Sequence, residues 1–414
     1  MNQPKPFEIS KETIWQAWQQ VKSNAGSAGV DRQSIKDCEK QLDKQLYKLW
    51  NRMSSGCYRP PSVRGVDIPK ANGGVRRLGI PTVMDRTAQT AVKLVLEPLI
   101  DPKFHANSFG YRPNRSAHDA IAITKARCFE YSWVLEFDIK GMFDSIPHDL
   151  IMRALEHHTR EKWILLYVRR WLEAEMVTPD GQKVVRMTGT PQGGVVSPLL
   201  ANLFMHYAFD LWVDRTFPEL PWCRYADDGL VHCRSREEGE EVLEALKERL
   251  KVCGLQLNLE KTRLVYCQDG FRRKSEAVKE FTFLGFDFQG RNAKSKRTGA
   301  IFRSFQPAVS RQAMKRMRHH IKHVWCLSRR PDLNLEELAA LINPVVQGWL
   351  NYYAQFYPSA MRRLCQYLND AISRWARRKF KRLYRRFKCR QEYVKAAYDK
   401  QPKLFAHWKF QPAY

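Results

Sequence analysis

Paired cysteines, long apolar runs and acid are all scarce in this sequence. Its ten cysteines are scattered from Cys38 to Cys389 without one C-x-x-C pair, the nearest neighbours being Cys223 and Cys233. Such spacing suits reduced thiols and argues against a disulfide-stapled module or a zinc ribbon. Apolar runs such as Leu199 to Phe204 fall far short of the roughly 18–20 residues a spanning helix needs, so no membrane segment is expected. The N-terminus, MNQPKPFEISKE, has neither a basic start nor an apolar core. A cleaved signal peptide is therefore not expected either, and the cytoplasm is the expected location.

The shortage of acid is the first functional clue. Lys plus Arg number 70 against 43 Asp plus Glu, a net charge of +27. Residues 291–414 hold 28 Lys or Arg and 6 Asp or Glu, so 28 − 6 = +22 of that excess lies in the last 124 residues. A one-signed surface of this size repels itself unless a polyanion meets it, which points to nucleic acid. The bland alternative is a well-solvated surface. With 414 residues, 44% of them hydrophobic, the chain is long enough for two or three packed domains.

Apolar residues recur at helical spacing over 11–22 and 34–53, separated by the loop-like SNAGSAGVDR. In GVDIPKANGGVRRLGIP, Asn-Gly-Gly between two β-prone runs predicts a hairpin carrying Lys70, Arg76 and Arg77. A helix is expected over 82–100, a strand over 133–139 and a helix after Pro147. Pro198 suits the first turn of a long apolar helix. CRYADDGLVHC reads as two short strands around an Asp-Asp-Gly turn, followed by an amphipathic helix over 237–253 that Gly254 ends. FTFLGFDF is an aromatic strand pair about Gly285. RRKSEAVK and GRNAKSKRTGA are the linker candidates, the second near a domain boundary. Strands and helices alternate irregularly, so the expected class is α+β rather than a doubly wound sheet.

Acid in an apolar strand needs a reason, and two places show it: Asp138 in VLEFDIKGMFDS, and Asp227 with Asp228 in RYADDGLV. A divalent cation neutralises such carboxylates together and makes their proximity favourable. Consecutive strand residues point to opposite faces, so Asp227 and Asp228 converge only at a turn. Taken singly, each cluster reads better as an ordinary polar turn or loop acid than as a metal site.

Together they are not ordinary. Asp138 with Phe143, then TGTPQGGVVSPLLANLF, then YADD, then FTFLGF stand in one order, which resembles the ordered motif set of reverse transcriptases. The blocks IPKANGGVRRLGIPTVMDR and SFGYRPNRSAHDAI are similar to those of group II intron maturases rather than of retroviral enzymes. The resemblance runs from Gly29 to Phe288 and reaches the C-terminal region through LAALINPVVQGWLNYYAQF, which looks like the maturase thumb.

The resemblance implies a right-hand polymerase: an N-terminal helical extension (1–60), reverse-transcriptase fingers and palm (61–290), a helical thumb or maturase domain (300–390) and a short basic tail (391–414). It implies Asp138 and Asp227 as metal-coordinating residues with the Ile139 carbonyl as a further ligand, and Asp228 as the third catalytic carboxylate, for two Mg2+ ions that Mn2+ can replace. Lys70 and Arg76 would hold the incoming triphosphate, Gln192 would sit beside the nucleotide pocket, and Phe143 would exclude a 2′-hydroxyl. Gly193 and Gly194 would let the backbone approach the nascent pair. RNA template, host intron RNA, DNA primer or target and deoxynucleotides are the implied partners, with splicing and intron mobility as the biological task. In RWARRKFKRLYRRFK, Arg377, Arg378, Arg385 and Arg386 are the candidate RNA-binding cations, while Trp375, Phe380, Tyr384 and Phe387 share a helix face and suit core packing better than base stacking. No H-N-H or Cys-pair block follows the thumb, so second-strand DNA cleavage by this chain is not expected. Other contexts for the same catalytic core stay open: a defence, CRISPR-associated or diversity-generating enzyme, or a non-catalytic splicing factor.

Overall fold

The computed structural model describes residues 5–69, 74–272, 274, 276–294, 297–380 and 387–412, of which 387–390 by backbone alone. Three helices open the chain: α1 (Lys11–Asn24), α2 (Ile35–Glu39) and α3 (Leu42–Ser54). The single helix expected over 34–53 is in two pieces. Ser34 and Asp37 form a capping box that starts α2, and Gln41 at φ −134° breaks the run before α3. Strands β1 (Val63–Pro69) and β2 (Val75–Ile80) form the expected antiparallel hairpin, with Pro69 opposite Val75. Thr82 then caps α4 (Val83–Ile100) by accepting from the Asp85 N–H.

The middle of the chain runs α5 (Ala117–Glu130), β3 (Trp133–Asp138), α6 (Met142–Ser145), α7 (His148–His158), α8 (Lys162–Leu172), β4 (Met176–Val177) and β5 (Lys183–Val184). It continues through α9 (Ser197–Met205), α10 (Leu211–Thr216), β6 (Trp222–Tyr225), β7 (Asp228–Cys233), α11 (Arg236–Val252) and β8 (Arg263–Tyr266). The long apolar helix expected from Pro198 is not uniform: a π turn at His206–Asp210 separates α9 from α10. Beyond lie β9 (Phe281–Phe283), β10 (Phe286–Lys294), β11 (Ile301–Val309) and the helices α12 (Arg311–His319), α13 (Leu335–Tyr353), α14 (Arg362–Lys379) and α15 (Phe387–Lys400). GRNAKSKRTGA is therefore no linker: its flanks pair across the antiparallel β10–β11 ladder from Phe286 opposite Val309 to Lys294 opposite Ile301.

The strands form three sheets, ordered β2-β1-β4-β5, β6-β7-β3-β8 and β11-β10-β9. Helices and mixed sheets followed by a helical region give the α+β class expected of fingers and palm with a helical thumb. Two compact units partition the chain, 1–120 with 135–264, and 121–134 with 265–414. In the first, Phe137, Phe209 and Trp222 pack ring against ring at centroid distances of 5.0 and 5.2 Å. In the second, Met317, Ile342, Val346, Leu368, Ile372 and Trp375 belong to one buried cluster fed by α12, α13 and α14. Among the described residues no helix is long and apolar enough to cross a membrane.

Candidate active site

The Tyr-Ala-Asp-Asp hairpin is tighter than its sequence suggests. Tyr225 pairs directly with Asp228, which leaves Ala226 and Asp227 as a two-residue turn. Such turns need positive φ, and Ala226 adopts +59° although it carries a Cβ. The conformation costs about 1–3 kcal/mol and persists only where its surroundings over-determine it. Gly229 is accordingly not a turn residue. It lies in β7 opposite Arg224, where a Cβ would stand 2.1 Å from the Phe137 ring. Its role is close packing beneath the turn.

Asp138 ends β3, the strand beside β7. Its side chain is 14% exposed, with one oxygen 2.8 Å from the Lys261 ammonium, and the other accepts from the Asn258 amide at 2.9 Å. The backbone helps: the Asn258 N–H donates to the Asp138 carbonyl, and Ile139 bridges to Leu257. Burial raises the Asp227 carboxyl above its ordinary range, with Asp138 adding repulsion. Burial, then repulsion from Asp227 and Asp138, pushes Asp228 up to about 7. The three expected carboxylates thus share one field, short of positive charge, with Lys261 and Arg76 as its neighbouring cations. Among the described residues no three acidic, His or Cys side chains close around one point as a finished ligand shell. An oxygen-only donor set in which burial, with repulsion added, raises Asp227 and Asp228 nonetheless fits a hard divalent cation.

Gln192 joins three elements. Its Oε1 accepts from Arg76 Nε at 2.7 Å, and its Nε2 donates to Asp144 at 2.8 Å. Arg186 Nη1 stands 3.7 Å from the same carboxylate. Asp144 follows Phe143 in α6; Phe143 is 7% exposed and its ring stands nearly perpendicular to that of Tyr111, with centroids 6.3 Å apart. Arg76, Gln192 and the Phe143 segment are thereby brought together. Lys70 lies outside the described residues. Gly193, at φ +121°, is needed by its own fold: a Cβ there would stand 2.5 Å from the Gly79 carbonyl oxygen, so it lets the turn press on β2. Gly194 is packed against Ser197 and Gln89 in the same way.

Several groups escaped the sequence reading. Beneath the Pro191–Gly194 turn, Gln89 Oε1 accepts from the Val195 N–H at 2.7 Å while its Nε2 donates to the buried Asp85 at 3.0 Å. Burial raises Asp85, and donors from Tyr58, Trp171 and Gln89 oppose the rise. Lys261, Asn258 and Asp144 were also missed. Their partners lie 123, 120 and 48 residues away in sequence, and no periodicity reports such contacts.

Of the C-terminal candidates, Arg378 is exposed and Arg377 half-buried on α14, while Arg385 and Arg386 lie outside the described residues, as does Tyr384. Trp375 is fully buried in the core, donates to the Arg330 carbonyl and meets the ring of Phe380, which packs half-buried against that core. In the same unit a cleft of about 690 Å³ is lined by Arg291, Arg311, Lys315, Arg318 and Arg363, with Tyr357 among them and Asp287 as its acid.

Residues 68–288, more than half of the chain, match the model of the reverse transcriptase (RNA-dependent DNA polymerase) family, and residues 314–394 match that of the group II intron, maturase-specific domain. Protein YkfC of Escherichia coli K12 is 32% identical over 60% of this chain and 74% of its own length. The group II intron-encoded protein LtrA of Lactococcus lactis is 32% identical over 58% of this chain, a match spanning 42% of the Lactococcus protein. A telomerase structure from Candida albicans aligns with 89% of this chain and 68% of its own at 11% identity and a TM-score of 0.47. The chain belongs to the reverse transcriptase family, and it carries the maturase-specific domain of group II intron proteins.

Proposed function

We propose that the chain is an RNA-directed DNA polymerase that also binds a group II intron RNA, assisting its splicing and its mobility by target-primed reverse transcription. The observation that carries the reading is the shared field of Asp138, Asp227 and Asp228 at the ends of β3 and β7 in a chain of this family. Asp138 and Asp227, with the Ile139 carbonyl, would hold two Mg2+ ions, and Asp228 would complete the acidic set; Mn2+ can take the same oxygens. When bound, such a pair supplies charge stabilisation to an in-line phosphoryl transfer, at the attacking 3′-hydroxyl and at the leaving pyrophosphate.

The chain's own side chains supply the rest. Arg76, joined by Lys70, brings positive charge to the triphosphate, and Gln192 keeps the Arg76 fork oriented. Phe143 lies under the sugar and leaves no room for a 2′-hydroxyl. The cations of the maturase-domain unit, those lining the 690 Å³ cleft included, bind phosphates of RNA and of the template–primer duplex.

Primer extension on an RNA template with Mg2+ and deoxynucleotides tests this. Replacing both Asp227→Asn and Asp228→Asn is expected to lower extension by many powers of ten, since metal-assisted stabilisation is the main catalytic term. RNA affinity, carried by a basic surface the substitutions leave alone, should stay within about twofold. Undiminished synthesis by the double variant would sink the assignment.

A further inference from the structure

A fully buried arginine stands directly behind the catalytic turn. Arg224 of β6 has no exposed surface, and neither has Asp210, whose carboxylate takes Arg224 Nε and Nη2 at 2.7 Å each. One bidentate carboxylate would satisfy a buried guanidinium as a charge. This one does more. Its second Nη2 bond goes to Ser108 Oγ at 2.9 Å, and Nη1 donates to Asn202 Oδ1 and to the Ala226 carbonyl at 3.1 Å each. All five donors of the fork are used.

Three of those partners converge on the turn from different elements. Asn202 of α9 also donates its amide to the Gly110 carbonyl at 2.7 Å. Ser108 lies in a segment bonded to the Arg224 backbone itself, whose N–H donates to the Asn107 carbonyl and whose carbonyl accepts from the Phe109 N–H. Gly110 presses so closely that a Cβ there would stand 2.5 Å from the Ala226 N. Asp210 is the last residue of the π turn that breaks the α9–α10 run. A π turn inserts one residue into the helical register and is frequent at functional sites. Here it delivers the carboxylate that neutralises Arg224.

We propose that Arg224 is a positioning residue of the polymerase site: held by Asp210, its guanidinium grips the Ala226 carbonyl and fixes the left-handed turn that sets Asp227 and Asp228 for divalent cations. The proposal rests on reading those carboxylates as metal-holding groups. Lysine cannot substitute, because a point ammonium has three donors, no planar fork and one centre of charge to share between Asp210 and the turn. The Ala226 Cβ makes the grip necessary, since alanine left alone relaxes out of positive φ whereas glycine does not.

The test is Mn2+ binding by the full-length chain, read by electron paramagnetic resonance of the free ion, with thermal unfolding followed in parallel. Asp227→Asn provides the reference loss. Arg224→Lys, which keeps the charge opposite Asp210, is expected to weaken Mn2+ binding roughly 10- to 100-fold, the range for lost groups that orient metal ligands. Combining it with Ala226→Gly should recover much of that loss, because glycine holds the turn without a clamp. A structural role alone predicts no such rescue. If Arg224→Lys unfolds, Asp210→Asn loosens the same guanidinium and is read the same way, alone and with Ala226→Gly. Wild-type Mn2+ affinity in the folded variant, or a double variant binding no more tightly than the single, overturns the proposal while leaving the carboxylate reading intact. Unchanged binding by Asp227→Asn overturns the carboxylate reading, and the proposal with it.

Discussion

Phe143 is placed so that two roles compete. It is nearly buried, and its carbonyl accepts the Thr190 N–H at 2.6 Å, so it is part of the packing that carries the Pro191–Gly194 turn. Its ring also meets Tyr111, whose hydroxyl pKa is raised by burial and by the field of Asp227. Phe143→Ala separates the roles. If the ring excludes the 2′-hydroxyl, the ratio of ribonucleotide to deoxynucleotide incorporation should rise by roughly tenfold or more, the size of discrimination that a few atoms of pocket wall support. Removing a buried ring also costs about 3–5 kcal/mol of stability, so the competition assay belongs at a temperature where the variant is folded. An unchanged ratio would make Phe143 core and put the gate elsewhere.

At the scale of elements, α4 supports the Pro191–Gly194 turn through a pair spaced one helical turn apart. Asp85 takes Tyr58, Trp171 and Gln89, and Gln89 passes the tie on to the Val195 N–H. Gln89→Leu keeps the volume and removes the bonds to Asp85 and from the Val195 and Val196 N–H groups. Each buried polar group left without a partner costs about 1–3 kcal/mol, so urea unfolding should show a loss of that order. Because the freed turn carries Gln192 and hence the Arg76 fork, the KM for deoxynucleotide should rise several-fold more than kcat falls. Lost stability with KM unchanged would mean that the turn holds its shape without α4. None of this was legible in TGTPQGGVVSP, where the glycines suggested an approach to substrate. Two of them also admit β2 and Gln89, a contact no local pattern reports.

For the whole molecule the governing quantity is charge. With +22 of the +27 in residues 291–414, binding to RNA should weaken steeply with salt, each phosphate contact adding roughly 0.7–0.9 to the slope of log K against log salt. Reversing Arg377, Arg378, Arg385 and Arg386 to Glu is expected to reduce that slope by about one contact's worth for each arginine engaged. Intron RNA affinity and protein-assisted splicing should fall together, while single-nucleotide addition on a short annealed primer is spared. Equal slopes for both proteins would move the RNA contact elsewhere, the 690 Å³ basic cleft being the next place to reverse charge. Not every cation of this region is available: Lys379 is already bonded to the Pro331 and Leu333 carbonyls.

By itself the sequence determined the class of fold, the hairpin of β1 and β2, most helix limits and the three carboxylates. These rest on local signals: caps, turn residues, alternation, and acids placed where apolar strands end. Tertiary structure alone decided which residues surround those acids. Lys261 and Asn258 reach Asp138 across more than a hundred residues, and the turn moved from Asp-Asp-Gly to Ala226–Asp227 because Gly229 is needed against Phe137. A π turn, which the spacing of the apolar residues did not announce, brought Asp210 to Arg224. Hydrogen bonds between distant segments leave no period in a sequence, so they are settled only when packing has fixed which strand ends meet.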